Sequence, residues 1–347
     1  MKKLTIIIFV VVVATGAIGC LSMSSFPSTE TESVQRVESA KPAVLANDKA
    51  KILESKREGK EKDVKSNIIH TMLDATKALQ IANTLLSNIY NHEKINVSDE
   101  KDLLKYLKAT NDEGVYQLIV KKLQAADVGN ESDDRLVEYS LSLLAAVNSR
   151  RASELFFNFI GKEKWQGSDA IYIVNKSISK LARNSDYTDL FQQTFTQTLD
   201  DNPFVAELAT AIALNAQAEQ VDYLISYVDS SLEHKGKAAT QAMNSIHKES
   251  LVPHISSYIS DSSTEAVQST ALSSLANMGQ YEAASALITW SSQQPKGSIK
   301  QVEKLFNIAL SRSPSAKRAI EKEINSQEFA NENVKELIIK MSNEGVN

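Results

Sequence analysis

One cysteine in 347 residues leaves no intramolecular disulfide and no thiolate zinc site. Glycine and proline are scarce, at 11 and 6, and a β-sandwich or barrel with its many tight turns needs more of both. Basic residues do not outnumber acidic ones: 38 Lys or Arg stand against 43 Asp or Glu, a net charge of −5, so the cationic surface that phosphate neutralisation requires is missing. What is present is a globular composition, 42% hydrophobic and 23% charged, in a chain long enough to bury a sizeable core. With few helix breakers and apolar residues at helical spacing, the expected fold class is all-α.

The N-terminus carries an address. Met1-Lys2-Lys3 precedes the apolar run Leu4 to Ile18, which ends in Ala17-Ile18-Gly19-Cys20. A charged start, an apolar stretch and small residues before a cut have the layout of an export signal. The segment resembles a bacterial lipoprotein signal, in which a short lipobox ends in the cysteine that is lipidated. That resemblance makes residues 1–19 the signal peptide and Cys20 the lipidation site, although Ala17 stands where leucine is commonest. An uncleaved anchor over Leu4 to Met23, just long enough to span a bilayer, and an ordinary signal peptide remain alternatives. With Leu21 and Ser22 and no Asp after the cysteine, the sequence resembles the sorting pattern for the outer membrane of a two-membrane bacterium. The expected location is the cell envelope, facing the periplasm.

Residues 20–66 shift to Ser, Thr, Glu and Lys without a lasting apolar period, and they read as a disordered polar tether. About 45 such residues reach roughly 35–40 Å. Within it, Ala50 to Lys65 is mixed in charge and has a second reading as a helix that orders on a partner.

From residue 67 to 347 the apolar pattern is helical and recurs in pairs. A first helix carries Ile68, Ile69, Met72, Leu79, Leu86 and Ile89. Pairs are expected near 100–108/113–126, 133–147/150–160, 168–183/186–199, 203–216/218–231, 236–248/250–260, 263–277/280–291 and 298–311/314–325, with a closing helix near 328–342. Asn202 before Pro203, Ser313 before Pro314 and the Ser262 to Glu265 capping box mark helix starts. Second helices superimpose by addition: Val221, Leu224 and Val228 plus 31 give Val252, Ile255 and Ile259, and a further 32 carries Val252 and Ile255 to Ala284 and Leu287. A period of about 30–34 residues built from helix pairs is the mark of an α-solenoid. The region resembles HEAT-like repeats, which implies stacked antiparallel helix pairs and no catalytic residues. One unit, Ala271 to Ala284 with Gly279 before Tyr281, looks more like a tetratricopeptide junction.

Candidate chemistry is sparse. No Gly-rich loop opens a helix in the body, so a phosphate cradle is not expected. The histidines His70, His92, His234, His247 and His254 lack a metalloprotease spacing, and neither metal nor cofactor is expected. Two Ser-x-x-Lys strings, Ser177 to Lys180 and Ser245 to Lys248, lie inside predicted helices without the partner motifs of a serine acylase. Asp200 and Asp201 precede Pro203, where acids suit a helix start.

A lateral stripe carries more. If Val221, Leu224 and Val228 face the core, Tyr223 and Tyr227 lie together on a flank, and the repeat shift carries them to His254 and Tyr258, then to Ala286 and Trp290. Such amphipathic side chains favour binding hot spots, though filling the seams between repeats is the competing reading. Phe157 is a further candidate, because Phe156, Phe159 and Ile160 share a face that it does not, with core packing as the competing reading. Between Trp165 and Pro295 stand 14 Asp or Glu and 6 Lys or Arg, a local balance of −8 that suits a protein partner over a polyanion. The expectation is a lipid-anchored, non-catalytic scaffold or adaptor for an envelope protein, as in a secretion, pilus or export assembly. The alternatives are a polysaccharide-acting enzyme of the envelope and a periplasmic chaperone.

Overall fold

A computed structural model describes residues 73–162, 165–260 and 262–344. The chain divides between Ile68 and Ile69, and the described residues all belong to the second unit. Cys20, the tether and His70 lie outside them.

Sixteen α-helices follow one another. They are α1 (Ala75–Tyr90), α2 (Val97–Thr110), α3 (Glu113–Ala125), α4 (Glu131–Val147), α5 (Arg150–Ile160), α6 (Ile171–Leu181), α7 (Thr188–Gln197) and α8 (Val205–Leu214). The second half holds α9 (Ala218–Val228), α10 (Glu233–Met243), α11 (Val252–Ser256), α12 (Glu265–Met278), α13 (Tyr281–Ser292), α14 (Ile299–Arg312), α15 (Pro314–Glu323) and α16 (Glu332–Glu344). No strand occurs among the described residues.

Local chemistry sets the boundaries. Asp74, Asn96, Asp112, Asn130, Ser149 and Thr264 each accept an otherwise free amide of a first turn. Pro314 occupies the first position of α15, and Ser313 caps it through the Ser315 amide at 3.1 Å. Asn111 and Asn148 close α2 and α4 in the left-handed conformation, at φ 50° and 54°. Gly279 closes α12 at φ 60°, and a Cβ there would sit 2.6 Å from the Arg312 Cβ at the end of α14. Handedness and close approach both require glycine at that turn.

The helices sort into two rows. Even-numbered helices from α4 to α16 pack each on the next. On the other side α3, α5 and α7 pack in sequence, as do α11, α13 and α15. The pairs α4/α5, α8/α9, α12/α13 and α14/α15 close across short turns, so their helices run antiparallel. The described unit is an α-solenoid of stacked antiparallel helix pairs. A single apolar core runs between the rows, from Ala78 in α1 to Ile338 in α16. The addition rule holds in it for six of its eight positions: Val221, Leu224, Val252, Ile255, Ala284 and Leu287 are buried, while Val228 and Ile259 are half-buried against the core. Each helix is buried because its neighbours are present, so stability here is shared between repeats.

Four expectations need correction. The capping box expected over Ser262 to Glu265 does not form: Thr264 caps α12 through the Val267 amide, and Glu265 is the first residue of the helix. Leu79 is 42% exposed, because α1 turns Ala78, Ala82, Leu85 and Leu86 inward and its apolar stripe lies one position round from the predicted one. The helix expected over 250–260 is broken into a turn of 3-10 helix at Glu249–Leu251, the five-residue α11, and a second 3-10 turn at Ser257–Ile259. Pro253 fits the first turn of α11 because an amide there has no helical partner in any case, and the Ser257 hydroxyl donates to the His254 carbonyl at 2.6 Å where the helix tightens. Asp200 does not serve the helix beside it. Its carboxylate accepts the amides of His234 at 3.1 Å and Lys235 at 2.9 Å, so it caps α10, one repeat further on.

Candidate protein-binding site

The stripe of second-row helices divides into three seams. In the first, between α7 and α9, Tyr223 and Tyr227 lie with ring centres 5.3 Å apart, and both close on Phe195 of α7. The Tyr223 hydroxyl meets Thr196 Oγ1 at 2.8 Å and donates to the Gln192 carbonyl at 2.9 Å. Burial pushes the Tyr223 phenol up from its ordinary value. Beneath them lies Lys235, 3% exposed, whose ammonium donates to the Thr196 and Thr198 carbonyls at 3.1 and 2.7 Å and sits over the Phe195 ring. Burial pulls its pKa down. This lysine satisfies carbonyls left free at the end of α7, a role that no spacing in the sequence signals.

In the second seam, Asp222 of α9 holds two side chains of the next repeat. His254 Nε2 stands 2.5 Å and the Tyr258 hydroxyl 2.6 Å from the same carboxylate oxygen. Burial opposes ionisation of Asp222, but the hydrogen bonds from Tyr258 and His254 outweigh it and hold the carboxyl below its usual range. The Tyr258 phenol, raised by burial and then by this carboxylate, is pushed up to about 12. Asp222 escaped the sequence reading because it stands one position before the aromatic stripe.

The third seam is open. Between α11 and α13 runs a groove of 630 Å³, with Val252, Pro253 and Ile259 on one wall and Ala286, Thr289 and Trp290 on the other. Trp290 is half-buried, and no other aromatic ring packs on it among the described residues. Glu282 and Gln293 mark the two ends of the α13 wall. The Ser256 hydroxyl, also in the lining, is buried without a hydrogen-bond partner among the described residues.

The structure therefore brings Tyr223 with Tyr227 and His254 with Tyr258 as predicted, and leaves Trp290 apart from both. Phe157 is not on the surface. It is 3% exposed and meets Phe156 and Phe191 edge to face, at 5.2 and 4.8 Å, so its candidacy as a contact residue is corrected: it belongs to the same apolar core, on the side of α5 that faces α7. Ser177 donates to the Ile173 carbonyl within α6, and Ser245, expected inside a helix, lies in the turn just past α10 and donates to the Gln241 carbonyl. Among the described residues no three His, Cys, Asp or Glu are placed to hold a metal. None of their helices is long and apolar enough to cross a membrane.

No known family matches the chain, and no curated protein does. Among solved structures, human deoxyhypusine hydroxylase in complex with glycerol is similar over 77% of this chain and 97% of its own, at 10% identity and a TM-score of 0.26. That structure is of an enzyme, so the expectation that this chain is not one is corrected. A likeness so distant assigns no activity in its turn.

Proposed function

We propose that the chain is a lipid-anchored α-helical repeat protein of the bacterial cell envelope, attached through Cys20, which acts as scaffold or adaptor for a protein partner within a secretion, pilus or export assembly. The observation that carries the reading is the open seam between α11 and α13, where a half-buried tryptophan lines a largely apolar groove in a stretch of net negative charge. Solenoids present extended surfaces of this kind to other proteins, and tryptophan is among the residues enriched at energetic centres of interfaces. The placing of the only cysteine directly after the apolar run supports the anchor. A HEAT-like assignment of the repeats, with the tetratricopeptide-like junction at Gly279 as its variant, belongs to the same proposal.

Two experiments test it. Radiolabelled palmitate should enter the wild-type protein and be absent from Cys20→Ser, because the thioether is the route to acylation; two or more acyl chains then make release from the membrane negligible. Label retained in Cys20→Ser would refute the anchor. Crosslinking in intact cells should recover a discrete protein neighbour, and a protein that crosslinks to none would refute the adaptor role.

A further inference from the structure

The α11/α13 groove is bounded along one wall by α13, a helix of 12 residues that runs about 18 Å at 1.5 Å per residue. About five residues of an extended strand span that length at ~3.3 Å each. The apolar floor accepts side chains, while Thr289 and Gln293 offer hydrogen-bonding groups to a strand backbone. Charge sets the sign of the occupant. Glu282 is the one charged side chain in the lining and has no ion-pair partner among the described residues, Asp222 borders the adjoining seam, and between Val252 and Gln293 the sequence carries Asp261, Glu265 and Glu282 with no Lys or Arg.

We propose that this groove binds an extended, lysine- or arginine-bearing segment of a partner protein, with one apolar side chain seated against Trp290 and a cation facing Glu282. The inference rests on the adaptor reading above and names the chemistry of its partner. Alternate side chains of the strand enter the floor, so specificity comes from a basic–apolar alternation. The groove lies where the second-row segment is broken into the short α11 and a 3-10 turn on either side of it.

The test uses the full chain and fluorescein-labelled hexapeptides followed by anisotropy. The probes are acetyl-Lys-Leu-Lys-Ile-Lys-Leu and its counterpart with Glu in place of Lys. The lysine peptide should bind at least tenfold more tightly than the glutamate peptide. Glu282→Lys should weaken it threefold or more with an unchanged melting curve, since Glu282 is exposed and unpaired, and Trp290→Ala should weaken it tenfold or more. Equal binding of the two peptides, or indifference to Glu282→Lys, would overturn the proposal. So would displacement of the peptide by chitotetraose, which would assign the groove to saccharide. A photoreactive side chain placed at Gln293 or at Lys304 separates the two levels of inference. Protein crosslinks from Lys304 alone overturn the groove and leave the adaptor reading; crosslinks from neither position remove both.

Discussion

The α7/α9 seam and the α11/α13 seam occupy equivalent places in the repeat and differ in what fills them. In the first, the hydroxyl of Tyr223 is tied to the preceding helix and both tyrosines rest on Phe195. In the second, Trp290 stands at the same register with no ring across from it, where the facing segment is broken into α11 and two 3-10 turns. Register alone therefore does not make a binding residue. An aromatic side chain becomes available when the neighbouring element sets no ring against it, and becomes packing when that element does.

Truncations should separate sealed from open. The largest effect is expected at Phe157→Ala, which removes a buried ring from between Phe156 and Phe191 and should cost about 3–5 kcal/mol in a denaturant or thermal melt. A loss below ~1 kcal/mol would mean that the α5/α7 seam can collapse. Gly279→Ala should cost about 2 kcal/mol, since the left-handed turn and the Arg312 Cβ both oppose a side chain. Tyr227→Ala should cost about 2 kcal/mol, while Trp290→Ala should move the melt by less than ~1 kcal/mol. Equal losses at Tyr227 and Trp290 would erase the distinction between the two seams and assign Trp290 to packing.

Much of the fold was legible because helix pairs and their shift are properties of spacing. Four of the seven predicted pairs close on each other across their turns, the helix expected over 236–248 ends at Met243 and that over 250–260 is broken, and Val221, Leu224, Val252 and Ile255 are in the core as addition required. The site was less legible for three physical reasons. A helical wheel shows how many faces are apolar and not how many neighbours cover them, so Phe157 read as surplus when α7 was waiting to bury it. A shift of 31 fixes register without fixing the distance between helices, so Tyr227 and Trp290 read alike. The third is competition within a short sequence: Pro253 and the paired Ser256-Ser257 announced a weak helix, yet the apolar spacing of Val252, Ile255 and Ile259 suggested a full one. Asp200 taught a related lesson, since capping chemistry was readable but its recipient lay a repeat away.

The smallest expected effect lies in the middle seam and concerns pH. Asp222 joins α9 to α11 through Tyr258 and His254, and its folded pKa is lower than that of the unfolded chain. A group depressed on folding contributes stability that is complete above its unfolded pKa and disappears as pH falls through its folded one. Because the Asp222 side chain is 52% exposed, solvent screens the contribution, and Asp222→Asn should cost no more than ~1 kcal/mol at pH 7. Melting curves of wild type and Asp222→Asn should therefore differ slightly at neutral pH and converge as the buffer is taken below the ordinary carboxylate range of about 3.9. A gap that persists after Asp222 is protonated would show that Tyr258 and His254 are held by packing, and the middle seam would then belong with the sealed one.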